Sequence, residues 1–383
     1  MTSRAVGWPD LAQAVGRALW DVRAAPPTEP IFWCQPCGEP RIVYTQAHRR
    51  QMKGIQRLLR GRPALILRGP IGCEDGPKYG PRWARYHRWS RWLYPEHELV
   101  FLCNTREAHE ELARRGVPSH FCSQYGMVDE SLFRVNTSIQ KEFDAVYNAQ
   151  MEPVKRHELA TAVQRLALIT YRIEVDPSYF GRTRNQLSHA QWLNFDPAGD
   201  YHWLSPEEVG RGLARSKVGL ILSAAEGANY ATVEYLLSGL PVVTTRSRGG
   251  RSVLYDDRYV KVIEDDPAAV AAGVPELIAR KLDPEVVRSG TIARICEHRK
   301  VFLGILQSYV DSRGGGLDLR ATWNRWVLQQ ARALATDRRI AESCGRLGET
   351  SGRVTARRRD RRRFMPNGTK PRRAARVHRP MNC

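Results

Sequence analysis

Residues 217–245 read KVGLILSAAEGANYATVEYLLSGLPVVTT, which predicts a strand, an acidic glycine turn, a helix and a second strand in succession. The apolar runs 217–223 and 241–245 have the length of buried strands, and the segment between them has helical spacing. Glu226 follows the first run, and open α/β sheets bind ligands beyond the carboxyl ends of their strands. The stretch therefore predicts an α/β fold with a ligand site at this turn.

The turn combines a phosphate-binding element with two carboxylates. The backbone N–H groups of Ala228, Asn229 and Tyr230 lie at the predicted helix start, where free donors and the helix dipole stabilise a phosphate. Glu226 precedes them, and Glu234 lies about two helical turns further on, within reach of the same crevice. Carboxylates that can accept hydrogen bonds from sugar hydroxyls, beside a phosphate cradle, indicate a nucleotide-sugar site.

Length and composition fit an enzyme without membrane spans. The chain has 383 residues and 42% apolar content, enough for two domains with their own cores. Its longest apolar runs are too short to cross a bilayer, and residues 11–22 lack a signal-peptide core and cleavage site. The eight cysteines are scattered, and Cys34-x-x-Cys37 has no second pair at zinc spacing. We expect reduced thiols, no metal site and a cytoplasmic protein.

Strands alternate with helices over most of the chain, which predicts two α/β domains with parallel sheets and a cleft between them. We divide the chain into an N-terminal extension (1–26), an acceptor-side domain (27–135), a donor-binding domain (140–312), a C-terminal helix (317–336) and a basic tail (345–383).

The net charge of +20 is concentrated in the tail. Residues 345–383 hold 13 Lys and Arg against two acids, which places +11 in the tail and +9 in the rest of the chain. Such a segment is expected to be disordered. It is either an arm for an anionic membrane surface, peripheral at the inner membrane face, or a solvated extension without a partner. Nucleic acid is not favoured, since no nucleic-acid-binding module is recognisable.

Residues 69–92 are rich in Gly, Pro, Arg and Trp and fit neither period well. One interpretation is a binding loop in which Trp83, Trp89 and Trp92 stack on a sugar or an anionic acceptor. The other, which we favour, is an amphipathic helix with its tryptophans inward and its arginines solvated.

Residues 217–256 resemble the donor-binding half of retaining glycosyltransferases with two Rossmann-like domains (the GT-B type), in particular the large family 4. That family has a strand ending in Ser, two glutamates separated by seven residues, Gly-x-Pro-Val-Val and Gly-Gly. The matching residues here are Ser223, Glu226-Gly227, Glu234, Gly239-Leu240-Pro241-Val242-Val243 and Gly249-Gly250. The resemblance extends over about 120–310 and leaves the first hundred residues unassigned.

The family also places an Arg, and a Lys five residues later, after the first strand of the donor domain, to neutralise the diphosphate. Lys155 falls at the Lys position, but Gln150 stands where the Arg is expected. An amide carries no charge and cannot copy the bidentate fork of a guanidinium. The resemblance therefore implies a weak diphosphate clamp, unless Arg156 or a loop arginine compensates.

By resemblance, the protein moves a sugar from a nucleoside-diphosphate sugar to an acceptor hydroxyl with retention of anomeric configuration, without cofactor or metal. The acceptor, whether glycan, lipid or small molecule, is left open. The family often has a histidine near the reaction centre, and the choice among His48, His87, His97 and His120 is left open too. The alternative is a basic nucleic-acid- or membrane-surface-binding protein on a degenerate, inactive scaffold. The implied catalytic residues are Glu226 (donor sugar hydroxyls) and Lys155, and the implied donor-binding residues are Gly227, Ala228, Asn229, Tyr230, Glu234 (ribose hydroxyls) and Gln150.

Overall fold

The computed structural model describes residues 31–34, 41–73, 78–314, 316 and 318–321. The extension 1–26, nearly all of the segment 317–336 and the tail 345–383 lie outside these residues. The described chain forms two α/β units, each built on its own sheet.

The first unit has a five-stranded sheet in the order β1-β2-β3-β4-β5, in which β1 is antiparallel to β2 and the other neighbours are parallel. Its elements are β1 Ile31–Cys34, β2 Arg41–Thr45, α1 Arg49–Leu58, β3 Ala64–Arg68, α2 Tyr79–Leu93, β4 His97–Cys103, α3 Arg106–Ala113 and β5 Ser119–Phe121.

The second unit has six parallel strands in the order β11-β10-β9-β6-β7-β8. The chain runs outward from β6 to β8, returns to pair β9 beside β6, and then runs outward on the other side. This reversal between β6 and β9 is a topological switch point, where doubly wound sheets open a ligand crevice. The elements are β6 Phe143–Gln150, β7 Leu166–Tyr171, α4 Pro177–Gln186, β8 Gln191–Trp192, α5 Pro206–Ala214, β9 Ser216–Ile221, α6 Tyr230–Leu237, β10 Val242–Thr245, β11 Val260–Ile263, α7 Pro267–Ala279 and α8 Pro284–Ser312.

The central strands of the second sheet are apolar on both faces. Five of the six residues of β7 are buried, as are all four residues of β10. Such continuous apolar runs are typical of parallel strands covered by helices on both sides. Because all six strands are parallel, their carboxyl ends lie along one edge of the sheet, while the helices cover its two faces.

Helix α8 connects the two units. Its first part packs Val287 and Ile295 against the core of the second unit. Its last part packs Phe302 and Leu306 against the first sheet. This crossing holds the carboxyl edges of the two sheets against each other, as contacts at the site below demonstrate.

The segment 69–92 contains a helix, α2, so the helical interpretation is confirmed over Tyr79–Leu93. The expectation that its tryptophans all point inward is wrong. Trp83 is 5% exposed, but Trp89 and Trp92 are 48% and 41% exposed and form an edge-to-face pair. The spacing of 89 and 92 from 82 and 85 places both tryptophans on the solvent-facing side with the arginines.

Three further findings concern the described residues. No helix among them has both the length and the apolar character needed to cross a membrane. They contain no group of three His, Cys, Asp or Glu side chains arranged to hold a metal ion. Cys73, Cys103 and Cys122 are free thiols, but Cys296 is disulfide-bonded, so the expectation of reduced thiols is wrong for Cys296.

Candidate functional site

The site lies at the carboxyl edge of the second sheet, beside the switch point. Strand β9 leads into the turn that carries Glu226, and β6 leads into a short 3-10 turn, Pro153–Lys155. Since β6 and β9 are paired neighbours, the two turns meet. Lys155 Nζ forms an ion pair with Glu226 Oε1, and the two side chains are only 12% and 13% exposed.

Three donors converge on one oxygen of Glu226. Besides Lys155 Nζ, Ser223 Oγ donates to Glu226 Oε1 at 2.8 Å and Asn229 Nδ2 donates to it at 3.0 Å. Within the described part of the chain, Glu226 Oε2 accepts no hydrogen bond. The arrangement fixes the carboxylate through one oxygen and leaves the other to accept a hydrogen bond from a ligand.

Asn229 also begins helix α6. Its Oδ1 accepts from the backbone N–H of Thr232 at 3.0 Å, a standard N-cap. Its own backbone N–H donates to the hydroxyl of Tyr125, at 2.7 Å. Of the three N–H groups expected to receive a phosphate, the middle one is therefore already bonded to a residue of the segment that joins the two units.

Glu234 lies in a different environment from Glu226. Its Oε2 accepts one hydrogen bond, from Asn148 Nδ2 at 2.9 Å. Burial raises the pKa of Glu234 to about 7, and the Asn148 hydrogen bond opposes this only in part. The Glu234 carboxyl therefore changes charge close to neutral pH.

The expected basic position at the end of β6 is uncharged. Gln150 is the last residue of that strand, half-buried, and its side chain makes no hydrogen bond to another described residue. Arg156 does not fill the gap, because its guanidinium is engaged elsewhere. It donates to the carbonyl oxygen of Leu222 (2.7 Å) and to Thr245 Oγ1 (2.7 Å), and it pairs with Asp265 (2.5 Å).

Glycines allow the two units to approach each other at this turn. A Cβ on Gly227 would lie 2.5 Å from the carbonyl oxygen of Gly72, in the loop that follows β3 of the first unit. A Cβ on Gly250 would lie 2.4 Å from Cβ of Asn104, which follows β4. Both positions require glycine because the carboxyl edges of the two sheets are in direct contact here.

No protein-family model matches the sequence, and no curated protein matches it in sequence. Solved structures do match its fold. Anabaena Alr3699/HepE in complex with UDP aligns with a TM-score of 0.51 at 12% identity, over 70% of this chain and 78% of that chain. A glycosyltransferase from Rickettsia africae aligns with a TM-score of 0.50 at 12% identity, over 81% and 84%.

The chain has the GT-B fold. Its two Rossmann-like units and the cleft between them confirm the predicted fold class. At 12% identity the likeness concerns the fold alone, so roles for individual residues rest on the geometry of this site.

Within the GT-B fold, three site residues had been given no role from the sequence. Asn148 holds Glu234, and Ser223 holds Glu226. Arg251 is 1% exposed and donates to Ser223. Asn148 lies two residues before the end of β6, Ser223 follows β9 by two residues, and Arg251 lies in a 3-10 turn after β10. The nearness of Asn148 and Ser223 to the carboxyl ends of β6 and β9 is the signal by which these two could have been found.

The structure places the four candidate histidines, His48, His87, His97 and His120, in different elements of the first unit. His97 is the first residue of β4, at the edge of the sheet opposite to the cleft, and its Nε2 contacts the Leu59 carbonyl oxygen. His48 is the exposed N-cap of α1. His87 lies within α2, and His120 in the edge strand β5. None has a hydrogen bond to Glu226 or Lys155 among the described residues.

Proposed function

We propose that this protein is a glycosyltransferase that moves a sugar from a nucleoside-diphosphate sugar to an acceptor hydroxyl with retention of anomeric configuration. The observation that carries the proposal is the Glu226 carboxylate at the switch point, held through Oε1 by Lys155, Ser223 and Asn229 with Oε2 left open. Neither a cofactor nor a metal is part of the proposal.

The chemistry follows from the charges that develop during transfer. The anomeric carbon becomes positive and the leaving diphosphate gains negative charge. Lys155 and the backbone N–H groups of Ala228 and Tyr230 stabilise the diphosphate, because preorganised donors act most strongly where charge develops. Glu226 Oε2 accepts from donor sugar hydroxyls, and its negative charge favours an oxocarbenium-like centre. Glu234 accepts from the ribose hydroxyls.

The test is a thermal-shift screen of the purified chain against UDP, GDP and ADP and their common sugars. We expect a shift with one nucleotide class, and a larger shift with one of its sugars. The Glu226→Gln variant should lose the sugar-dependent part of the shift, while Glu285→Gln, an exposed acid at the start of α8, should keep it. Wild-type protein that responds to no nucleotide sugar would exclude the proposal.

Retention is a separate part of the proposal and rests on the resemblance of residues 217–256 to retaining enzymes. Once a donor is found, NMR of the first product formed gives the anomeric configuration. We expect the configuration of the donor sugar, and an inverted product would overturn this part alone.

The net charge of +11 in residues 345–383 is the basis for proposing a membrane partner. We propose that the basic tail 345–383 brings the enzyme to an anionic membrane surface, where a lipid acceptor would be presented. Sedimentation with vesicles of phosphatidylglycerol and phosphatidylcholine should retain the full chain and release a chain ending at residue 344. Equal sedimentation of the two proteins, or preferential binding of the tail to RNA, would reject this partner.

A further inference from the structure

Arg251 is a buried cation directly beneath the proposed donor site. Arg251 is 1% exposed. It follows Gly250 in a 3-10 turn, and Gly250 lies directly against Asn104 of the first unit. Its Nη1 donates to the carbonyl oxygen of Ser223 at 2.7 Å and to Ser223 Oγ at 3.1 Å. Its Nη2 donates to the carbonyl oxygen of Thr245. The guanidinium thus joins the carboxyl ends of β9 and β10.

The charge of Arg251 has no carboxylate partner within the described chain. Lys155 pairs with Glu226, and Arg156 pairs with Asp265. The oxygens that Arg251 bonds belong to carbonyls and hydroxyls. A guanidinium remains protonated at any pH compatible with folding, so it cannot shed this charge as a buried lysine can. Burying a charge without an ion-pair partner costs desolvation free energy. We therefore look for a role of Arg251 in the donor site next to it.

Ser223 connects this cation to Glu226. Because Arg251 Nη1 donates to the Ser223 hydroxyl oxygen, the hydroxyl proton is directed away from Arg251 and donates to Glu226 Oε1, at 2.8 Å. Without Arg251, the same hydroxyl could rotate to donate to a backbone carbonyl. The orientation of Ser223, and with it one of the three donors on Glu226 Oε1, therefore depends on the guanidinium.

We propose that Arg251 is a positioning residue of the donor site: through Ser223 it holds Glu226 Oε1, so that Oε2 is presented to the donor sugar. The proposal rests on the proposed function for the identity of the ligand, but the positioning itself is a property of the ligand-free chain. The proposal does not extend to Arg156, which bonds the Leu222 carbonyl oxygen, Thr245 and Asp265 and has no hydrogen bond to Ser223 or Glu226 within the described chain.

The first experiment needs no ligand. Lysine acylation by a small reagent, read by mass spectrometry, reports how well Glu226 protects Lys155, and Lys217, paired with Asp144, is the internal reference. Arg251→Met and Ser223→Ala should each raise labelling of Lys155 by severalfold and leave Lys217 unchanged. Arg251→Lys should fall between wild type and Arg251→Met.

The matched control is Arg288→Met. Arg288 also donates to neutral backbone carbonyls, those of Phe133, Leu237 and Glu130, but on helix α8 and away from Glu226. It should lower the melting temperature without changing Lys155 labelling. If Arg251→Met unfolds, labelling of Lys217 rises too, and Ser223→Ala then decides the question.

The second experiment compares UDP with UDP-glucose by calorimetry. Loss of the oriented carboxylate should reduce UDP-glucose affinity by about tenfold in Arg251→Met and Ser223→Ala, the scale of a lost hydrogen bond to a charged group. The affinity for UDP, which lacks the sugar, should change much less. A structural role alone would weaken both ligands equally.

The outcomes separate the two proposals. Wild-type labelling of Lys155 in folded Arg251→Met and Ser223→Ala overturns the positioning role, whatever the chain binds. Increased labelling in a protein that binds no nucleotide sugar supports the positioning role and rejects the proposed function. Increased labelling together with selective loss of UDP-glucose affinity supports both.

Discussion

The turn before helix α6 and the helix itself hold their carboxylates in opposite ways. In the turn, Glu226 accepts three hydrogen bonds on one oxygen, one of them from Lys155. Two turns further on, Glu234 has one amide donor, and burial raises its pKa to about 7. The difference teaches that two glutamates eight residues apart, facing one crevice, can differ in how firmly hydrogen bonds hold them, and that burial with a single donor makes Glu234 titrate near neutrality.

The largest expected effect comes from removing the Glu226 carboxylate. Glu226→Gln keeps the shape of the side chain but removes its charge, and it leaves the partly buried Lys155 without an ion-pair partner. We expect sugar transfer to fall by at least about 10²-fold at pH 7, because the loss affects both the donor sugar and the orientation of Lys155. Initial rates with the donor found in the screen measure it. A Glu226→Gln enzyme within twofold of wild type would remove Glu226 from the site.

Lys155→Met removes the basic partner of the same ion pair. The leaving diphosphate loses a preorganised cation, so turnover should fall by about 10²-fold. Lys217→Met is the matched control, since Lys217 is also paired with an acid, Asp144, outside the crevice. Comparable losses in both variants, measured as kcat/KM, would show that the effect is a general one of lost charge.

Because of Glu234, the folding stability of the ligand-free protein should fall with rising pH, whereas its affinity for the donor should rise. An acid whose pKa is raised in the folded state binds more protons there than in the unfolded state. Its contribution to stability is therefore greatest at low pH and is lost as the pH rises from about 4.5, the ordinary value, to about 7. A carboxylate that accepts ribose hydroxyls requires the ionised form, so donor affinity should rise as the pH passes through about 7, by up to about tenfold between pH 6 and pH 8.

Glu234→Gln is the variant that checks this. It should flatten the fall in melting temperature between pH 5 and pH 7, and it should flatten the rise in affinity between pH 6 and pH 8 for the nucleotide found in the screen, measured by calorimetry. Glu226→Gln should leave both slopes in place. If the wild-type slopes are flat, Glu234 does not titrate near neutrality, and the contrast between the two carboxylates is lost.

How much of this site could be predicted from the sequence depends on how far apart along the chain the contacting residues lie. Strand periodicity placed Glu226 at a carboxyl edge, and the resemblance to family 4 placed Lys155 near it; the structure brings the two side chains together. The Tyr125 bond to the Asn229 N–H and the Gly72 contact with Gly227 join residues about a hundred or more positions apart, and no local pattern encodes them.

The orientation of α2 could not be predicted either, because it also depends on contacts with distant parts of the chain. Its periodicity shows a helix, but which tryptophans face the sheet depends on how the helix packs, and Trp83 alone reaches Phe101 of β4. Arg251 was missed because a charged residue after Gly-Gly has the appearance of a solvated loop residue. Its burial follows from the contact of Gly250 with the first unit.

The smallest expected effect comes from restoring a charge. Gln150→Arg puts a guanidinium at the end of β6, where no described residue hydrogen-bonds the present side chain. If the diphosphate lies between Lys155 and this position, affinity for the nucleoside diphosphate found in the screen should rise by a few fold, since a bidentate fork replaces a neutral amide. Arg251 already places one cation under this edge, so the gain should be larger in Arg251→Met than in wild type. Calorimetry with that diphosphate and with its nucleoside separates the diphosphate from the base, and an equal gain for both would mean that position 150 lies away from the diphosphate.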